Sequence, residues 1–252
     1  MNTQRRYGSA GETGHEQRQD KGEPLKHEKL SVIHRLRVAL LIEACLALAY
    51  LAINNVTSHL PYSVNVMSRW DLAVPFVPEW VWVYNLNVVM PMLLLVFISE
   101  AKLLLEVVSG FLLIFLVAIA AFILMPVHST ELRAVIDPAT TDLALKNVAY
   151  YYEMDGVGNC FPSLHVAYSV YAGWWGYKLM PRWLGVPYVL LGLLITISTM
   201  TVKQHFIADV VSALLVAVLV YALHHWRGIA FSNYLPKVLI RFIANDRKIP
   251  CS

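Results

Sequence analysis

His205 and Asp209 stand four positions apart in the stretch Lys203-Gln204-His205-Phe206-Ile207-Ala208-Asp209, which opens a long apolar run. On a helix this spacing puts both side chains on one face, with Cβ atoms about 5–6 Å apart. A carboxylate so placed accepts a hydrogen bond from one imidazole nitrogen and fixes the tautomer. The other nitrogen is then free to act as nucleophile or base. This is the orienting half of a catalytic triad, without the serine. A buried His–Asp pair that only ties two helices together would use the same residues. Ionisable side chains inside a membrane are costly, however, and there they mark function by default.

A second polar stretch, Asn159-Cys160-Phe161-Pro162-Ser163-Leu164-His165, opens another apolar run, with His165 forty positions before His205. Pro162 is a helix-start signal and Ser163 is suited to the N-cap. Backbone N–H groups at a helix start attract an anion, and the Ser163 hydroxyl adds a donor. His165, two residues further on, can protonate a leaving oxygen as general acid. Alone, Pro-Ser-Leu-His is an ordinary capped helix start. Its weight comes from sharing a membrane face with His205, where the two can act on one phosphoryl group. Such a group needs fixed positive charge on its oxygens. Lys203 and Arg133 are the candidates, Arg133 with bidentate donors; Lys146 and Arg69 are less well placed. Each of these cations taken alone would equally serve as an interfacial anchor.

The elements that must position these groups are membrane helices. Apolar residues make up 58% of the 252-residue chain and charged residues 15%, with a mean hydropathy of +0.54. That composition makes the bilayer the solvent. A net charge of +3 is too small for nucleic-acid binding. Cys45, Cys160 and Cys251 have no metal-type spacing and fall at different depths, so no internal disulfide is expected. Six apolar runs predict an all-α, integral membrane six-helix bundle over residues 35–226. They are about Val38–Ile53, Val81–Ile98, Leu103–Met125, Ser163–Leu179, Trp183–Met200 and Phe206–Trp226. The first and fourth are short and open to extension. Residues 1–34 read as a disordered polar tail without a secretory signal.

An even number of spans puts both termini on one side. That side then carries sixteen of the Lys and Arg residues, and the other carries Arg69, Arg133, Lys146 and Lys203. The positive-inside rule predicts cytoplasmic termini, with both histidine stretches and the loop Met125–Phe161 on the periplasmic or lumenal side. Residues 227–252 form a basic cytoplasmic tail. Within it Phe231, Leu235, Val238, Leu239 and Phe242 repeat at helical spacing, with Lys237 and Arg241 between them. This is either an amphipathic helix on an anionic leaflet or one packed on the bundle. Glu43, Glu106, Asn85 and Asn87 read as groups facing helix partners, and His59 and His128 as incidental.

Pro-Ser-x-His followed by Ser-x6-His-x3-Asp, here Ser198, His205 and Asp209, resembles the type-2 phosphatidic acid phosphatase superfamily. The fuller runs Asn159–His165 and Lys203–His205 are more similar to its branch of inositol phosphorylceramide (aureobasidin-target) synthases. Asp71-Leu72-Ala73-Val74-Pro75-Phe76-Val77-Pro78 looks like that branch too. The resemblance covers about residues 70–215 and implies a six-helix bundle with a metal-independent mechanism and no cofactor. In that mechanism His205 attacks phosphorus, Asp209 orients it, and His165 protonates the leaving alkoxide and then activates water or a hydroxyl acceptor. Ser163, Lys203, Arg133 and Ser198 would belong to the substrate-binding set, the substrate being a lipid phosphate. The chain departs from the superfamily at three places: Pro126 and Ala134 occupy the lysine and proline positions of the first motif if Arg133 is its arginine, and Thr199 replaces the arginine after Ser198. The expected location is a bacterial inner membrane, with the site facing the periplasm. Two other readings stay open: a metal-dependent membrane hydrolase with His165, His205 and Asp209 as ligands, and a non-enzymatic lipid-anion binder or transporter.

Overall fold

The computed structural model describes residues 29–227 and 231–245. Most of the tail read over residues 1–34 lies outside them, as do Arg247, Lys248 and Cys251 of the C-terminal tail. Among the described residues the chain is helical, without a strand; one isolated antiparallel bridge joins Lys29 and Glu100. The helices are α1 (Val32–Thr57), α2 (Arg69–Ala73), α3 (Val81–Tyr84), α4 (Leu86–Phe97), α5 (Ala101–Leu124), α6 (Leu143–Met154), α7 (Leu164–Leu179), α8 (Arg182–Thr201), α9 (Ile207–Arg227) and α10 (Lys237–Ala244). Turns of 3-10 helix at Pro78–Trp80 and Phe231–Tyr234 precede α3 and α10.

Among the described residues, five segments are long and apolar enough to cross a membrane: α1, Pro78–Phe97, α5, α8 and α9. The remaining apolar run is α7. Its 16 residues give about 24 Å of helix at about 1.5 Å per residue, short of a hydrocarbon core about 30 Å thick. The outer faces are apolar: Leu48, Leu116 and Leu215 are 68%, 62% and 66% exposed. An exterior of this kind suits lipid rather than water, and the chain is an integral membrane protein.

Local chemistry sets the starts and breaks. Ser31 Oγ accepts from His34 N at 3.2 Å to open α1, and Asp142 Oδ1 accepts from Leu145 N at 2.9 Å to open α6. The segment read as one span over Val81–Ile98 is divided at Asn85. There Asn87 Nδ2 donates to Tyr84 O at 2.6 Å, and Pro91 inside α4 has no N–H to complete the ladder. The loop read from Met125 to Phe161 contains the amphipathic helix α6.

The packing that matters most for the site is that of α7 on α8, the most extensive in the bundle. Gly173 and Gly176 on α7 face Tyr188 and Val189 on α8, and Gly185 and Gly192 on α8 face the α7 backbone at Gly176–Tyr177 and at Ser169. A Cβ on Gly185 would lie 3.1 Å from Tyr177 Cα and 3.3 Å from Gly176 O; one on Gly192 would lie 3.0 Å from Ser169 O. Small residues let the two backbones approach, as membrane helix pairs require. Because α7 and α8 are joined by a short turn, the start of α7 lies beside the end of α8.

At the opposite end of the bundle Glu106 is buried. Ser232 Oγ donates to its Oε1 at 2.9 Å, and His224 Nδ1 lies 3.4 Å from its Oε2. Glu106 thus faces helix partners. Helix α10 packs on α5, with Ile243 and Ala244 buried and Val238 and Phe242 outside. The tail helix is therefore packed on the bundle along one face.

Gly185→Val places branched carbons against the α7 backbone. It is expected to cost about 1–3 kcal/mol and to lower the unfolding temperature in detergent micelles. An unchanged melting curve would contradict the close approach described here.

Candidate active site

Three chain segments converge at one end of the bundle: the start of α7, the loop from α8 to α9, and the segment Asp155–Pro162. His205 lies in the α8–α9 loop and is 5% exposed; Asp209, in the first turn of α9, is fully buried. His205 Nδ1 lies 3.3 Å from Asp209 Oδ2 and 3.1 Å from the Cys160 carbonyl oxygen. Both are acceptors, so Nδ1 carries the proton and Nε2 keeps its lone pair. Asp209 Oδ2 also accepts from Phe206 N at 2.9 Å, which anchors the carboxylate. The His165 and His205 rings are 5.5 Å apart, centroid to centroid, at 60°. Burial pushes the His205 imidazole down to about 3, so the ring is uncharged at neutral pH.

Ser163 caps α7: its Oγ accepts from Val166 N at 3.4 Å, and its own N–H donates to Asp209 O at 3.2 Å. That backbone bond joins the two motifs directly. His165 is held on both sides. Its Nδ1 lies 3.0 Å from Asn87 Oδ1, and its Nε2 lies 2.9 Å from Tyr84 Oη and 3.9 Å from Asp155 Oδ2. Tyr84 Oη in turn lies 3.2 Å from Asp155 Oδ2. Since Asn87 spends its Nδ2 on Tyr84 O, its oxygen faces the ring, and His165 Nδ1 is the donor there. Asp155 is half-buried, and the partial loss of solvent raises its carboxyl above the usual range.

Arg133 reaches the same end from the long loop. Its Nη1 donates to Tyr152 O at 2.7 Å, and its Nη2 to Gln204 Oε1 at 3.0 Å and to Gly156 O. The guanidinium stacks 4.7 Å from the Tyr152 ring centre. Arg133 Nε and Gln204 Nε2 are buried donors without a protein partner, and Asp209 Oδ1 is a buried acceptor without one.

Two expected site residues face elsewhere. Lys203 adopts a left-handed backbone, φ +58°, which turns its ammonium to the Asp71 and Val74 carbonyls at 2.9 and 2.5 Å. In this state it ties the loop to the segment after α2 rather than facing the histidines. Ser198 Oγ donates to Ile195 O at 2.6 Å within α8. Thr199 carries backbone instead of charge: its carbonyl accepts from Gln204 N and His205 N at 3.0 and 3.2 Å. Among the described residues, the set whose metal-ligating atoms converge is Cys160, His205 and Asp209; His165 is not in it.

The sequence reading missed Tyr84, Asp155, Gln204 and the role of Asp71. Asp71 Oδ1 accepts from Ile207 N at 2.7 Å, while Oδ2 accepts from Ser68 N and Ser68 Oγ at 2.7 and 2.6 Å. This gives the stretch Asp71–Pro78 a physical purpose, which is to hold the start of α9. Asn87 was legible as a helix-facing group, but its partner was not.

A cavity of about 270 Å³ adjoins His165 and Asp155, lined also by Glu43, Tyr50, Tyr151 and Tyr168. It reaches the outer surface past Leu51, Val88 and Met154. A larger groove of about 440 Å³ lies between α7 and α8 around Gly173, Trp174 and Gly192, and the histidines are not part of its lining.

Fold and site together define a helical integral membrane protein with a His–His–Asp cluster at one end of the bundle. The PAP2 superfamily model matches residues 64–223, and the chain belongs to that superfamily, which generally comprises phosphatases and phosphotransferases. The match takes in Asp71, Arg133, Ser163, His165, His205 and Asp209. No curated protein and no solved structure matches the chain.

Asp71→Ala leaves the Ile207 and Ser68 donors unpaired. It is expected to cost about 1–3 kcal/mol and to speed amide exchange at Ile207 relative to the α5 core. Exchange unchanged at Ile207 would show that Asp71 does not hold the loop.

Proposed function

We propose that the protein is a membrane phosphatase or phosphotransferase that acts on a lipid phosphate through a phosphohistidine on His205. The observation that carries this reading is the facing pair of imidazoles, one of them held through Nδ1 by Asp209 and the Cys160 carbonyl. Superfamily membership supports it.

In the first step His205 Nε2 attacks phosphorus and the bond to the lipid alkoxide breaks. His165 gives the alkoxide its proton from Nε2. The chain of contacts His165 Nε2–Tyr84 Oη–Asp155 Oδ2, in which Tyr84 donates to Asp155, sets an acceptor oxygen beside the Nε2 proton and a carboxyl group behind it, which favours the imidazolium form that this step uses. In the second step His165 Nε2 takes a proton from water or from a hydroxyl. The resulting oxygen attacks the phosphohistidine, and the P–N bond breaks to restore His205. Arg133 and Gln204, with their open donors, and Ser163 with the first turn of α7 hold the phosphate oxygens. The reaction calls for no metal or cofactor.

In this reading the chain crosses the membrane six times, α7 completing its span with the residues around Ser163. Both termini are cytoplasmic, by the distribution of Lys and Arg. The site then faces the periplasm of a bacterial inner membrane. The cavity beside His165 opens toward lipid and would admit a lipid hydroxyl as acceptor. That supports phospho-headgroup transfer of the kind carried out in inositol phosphorylceramide synthesis, alongside hydrolysis.

Purified protein in detergent, given a panel of lipid phosphates and phosphoinositides, tests this, with inorganic phosphate and transferred headgroup scored separately. His205→Ala and His165→Ala are each expected to lose about 10²–10⁴-fold in turnover with unchanged unfolding temperature. Labelled substrate should leave acid-labile, alkali-stable phosphate on the protein, and none on His205→Ala. Full activity in either variant would overturn the mechanism.

The pH profile follows from the lowered His205 value. Protonation removes the Nε2 lone pair, so a lower pKa moves the loss of nucleophile to lower pH. The acidic limb of kcat/KM assigned to His205 is expected below the ordinary imidazole value of about 6.5. A His205-dependent limb at that ordinary value would contradict the buried, neutral ring.

A further inference from the structure

The loop before α7 places a third ligand-type side chain against the His205–Asp209 pair. Cys160 is a buried free thiol. One ligand atom each from Cys160, His205 and Asp209 can be chosen so that all lie within 4.8 Å of one another. His205 Nδ1 and Asp209 Oδ2 are already 3.3 Å apart. Tetrahedral zinc, with bonds of about 2.0–2.3 Å, sets its donor atoms roughly 3.3–3.8 Å apart. Bringing atoms that lie within 4.8 Å of one another to that spacing needs shifts of no more than about 1.5 Å. Asp209 Oδ1, on a fully buried residue, has no hydrogen-bond partner, so the carboxylate has coordinating capacity that the fold leaves unused.

We propose that Cys160, His205 and Asp209 form a binding site for a thiophilic divalent cation of the zinc or cadmium type, and that occupancy switches the protein off. Thiolate and carboxylate together neutralise a divalent ion, which removes most of the cost of burying its charge. Thiolate and imidazole select zinc or cadmium over magnesium or calcium. The ion displaces the thiol proton to solvent. It also takes the Nδ1 lone pair, which moves the ring proton to Nε2. That is the nitrogen the proposed reaction needs bare, so the metal-bound ring cannot attack phosphorus. The inhibition rests on the assignment of His205 as nucleophile; the binding does not.

The test uses the full chain in detergent, titrated with CdCl2 or ZnCl2 alone. Cadmium is expected to raise a thiolate-to-metal ultraviolet band, retained in the Cys45→Ser/Cys251→Ser double variant and lost in Cys160→Ala. The double variant leaves the site intact, so it reads binding even if Cys160→Ala folds poorly. Turnover of a lipid phosphate is expected to fall with added zinc and to recover with EDTA. Cys160→Ala, which keeps the backbone carbonyl, should need at least about tenfold more zinc for the same inhibition. Absence of the band from the double variant would overturn the site. Binding with unaltered turnover, equal zinc sensitivity in Cys160→Ala, or stimulation by zinc would overturn the inhibition, and stimulation would point to a metal-dependent hydrolase. Loss of turnover in His205→Ala bears separately on the phosphohistidine reading.

Discussion

The bonds made by His205 Nδ1, to Asp209 Oδ2 and to the Cys160 carbonyl, are the constraint on which the site depends. They join the α8–α9 loop, the first turn of α9 and the strand of chain entering α7. In a water-poor setting each of these polar groups would be costly if left alone. The Ser163 N–H on the Asp209 carbonyl adds a backbone stitch between the same segments. Two motifs far apart in the chain therefore behave as one rigid unit, and the tautomer of His205 follows from which of its nitrogens faces the acceptors.

That unit is held from two sides. Glycines on α7 and α8 bring the helix axes close enough for the start of one to meet the end of the other. Asp71 in α2 and Lys203 in the α8–α9 loop clamp these two segments together, one through its carboxylate on Ile207 N and the other through its ammonium on the Asp71 and Val74 carbonyls. The Lys203 charge is thereby engaged with backbone carbonyls. In the proposed reaction the open donors of Arg133 and Gln204 are the partners for phosphate oxygens. On that proposal they stand in for the arginine that Thr199 replaces. Thr199 instead lends its carbonyl to the two N–H groups that shape the His205 loop.

Apolar runs long enough to span a bilayer are visible in composition, because the solvent imposes length and polarity on each helix separately. The Ser163 cap was legible because it is local, set by helix geometry within a few residues; the His205–Asp209 pairing was legible too, but not by the shared helix face expected, since His205 lies in the loop before α9 (Ile207–Arg227) and its ring reaches Asp209 from there. The break at Asn85 and the helix α6 were not. The first depends on Asn87 bonding back to Tyr84 while facing His165; the second is amphipathic and short, with no membrane-length signal.

What the sequence determined by itself was the class of molecule and the ionisable residues with which it can work, since these follow from residue type and short-range spacing. Tertiary structure decided their directions. It turned Lys203 and Ser198 away, brought Tyr84, Asn87 and Asp155 onto His165, set Gln204 beside Arg133 and put the Cys160 thiol against the His205–Asp209 pair. Those outcomes depend on which helix ends meet and which buried donor finds which acceptor. Such matters are settled by packing between segments far apart in the chain, 136 residues in the case of Asp71 and Ile207, where spacing along the chain carries no signal.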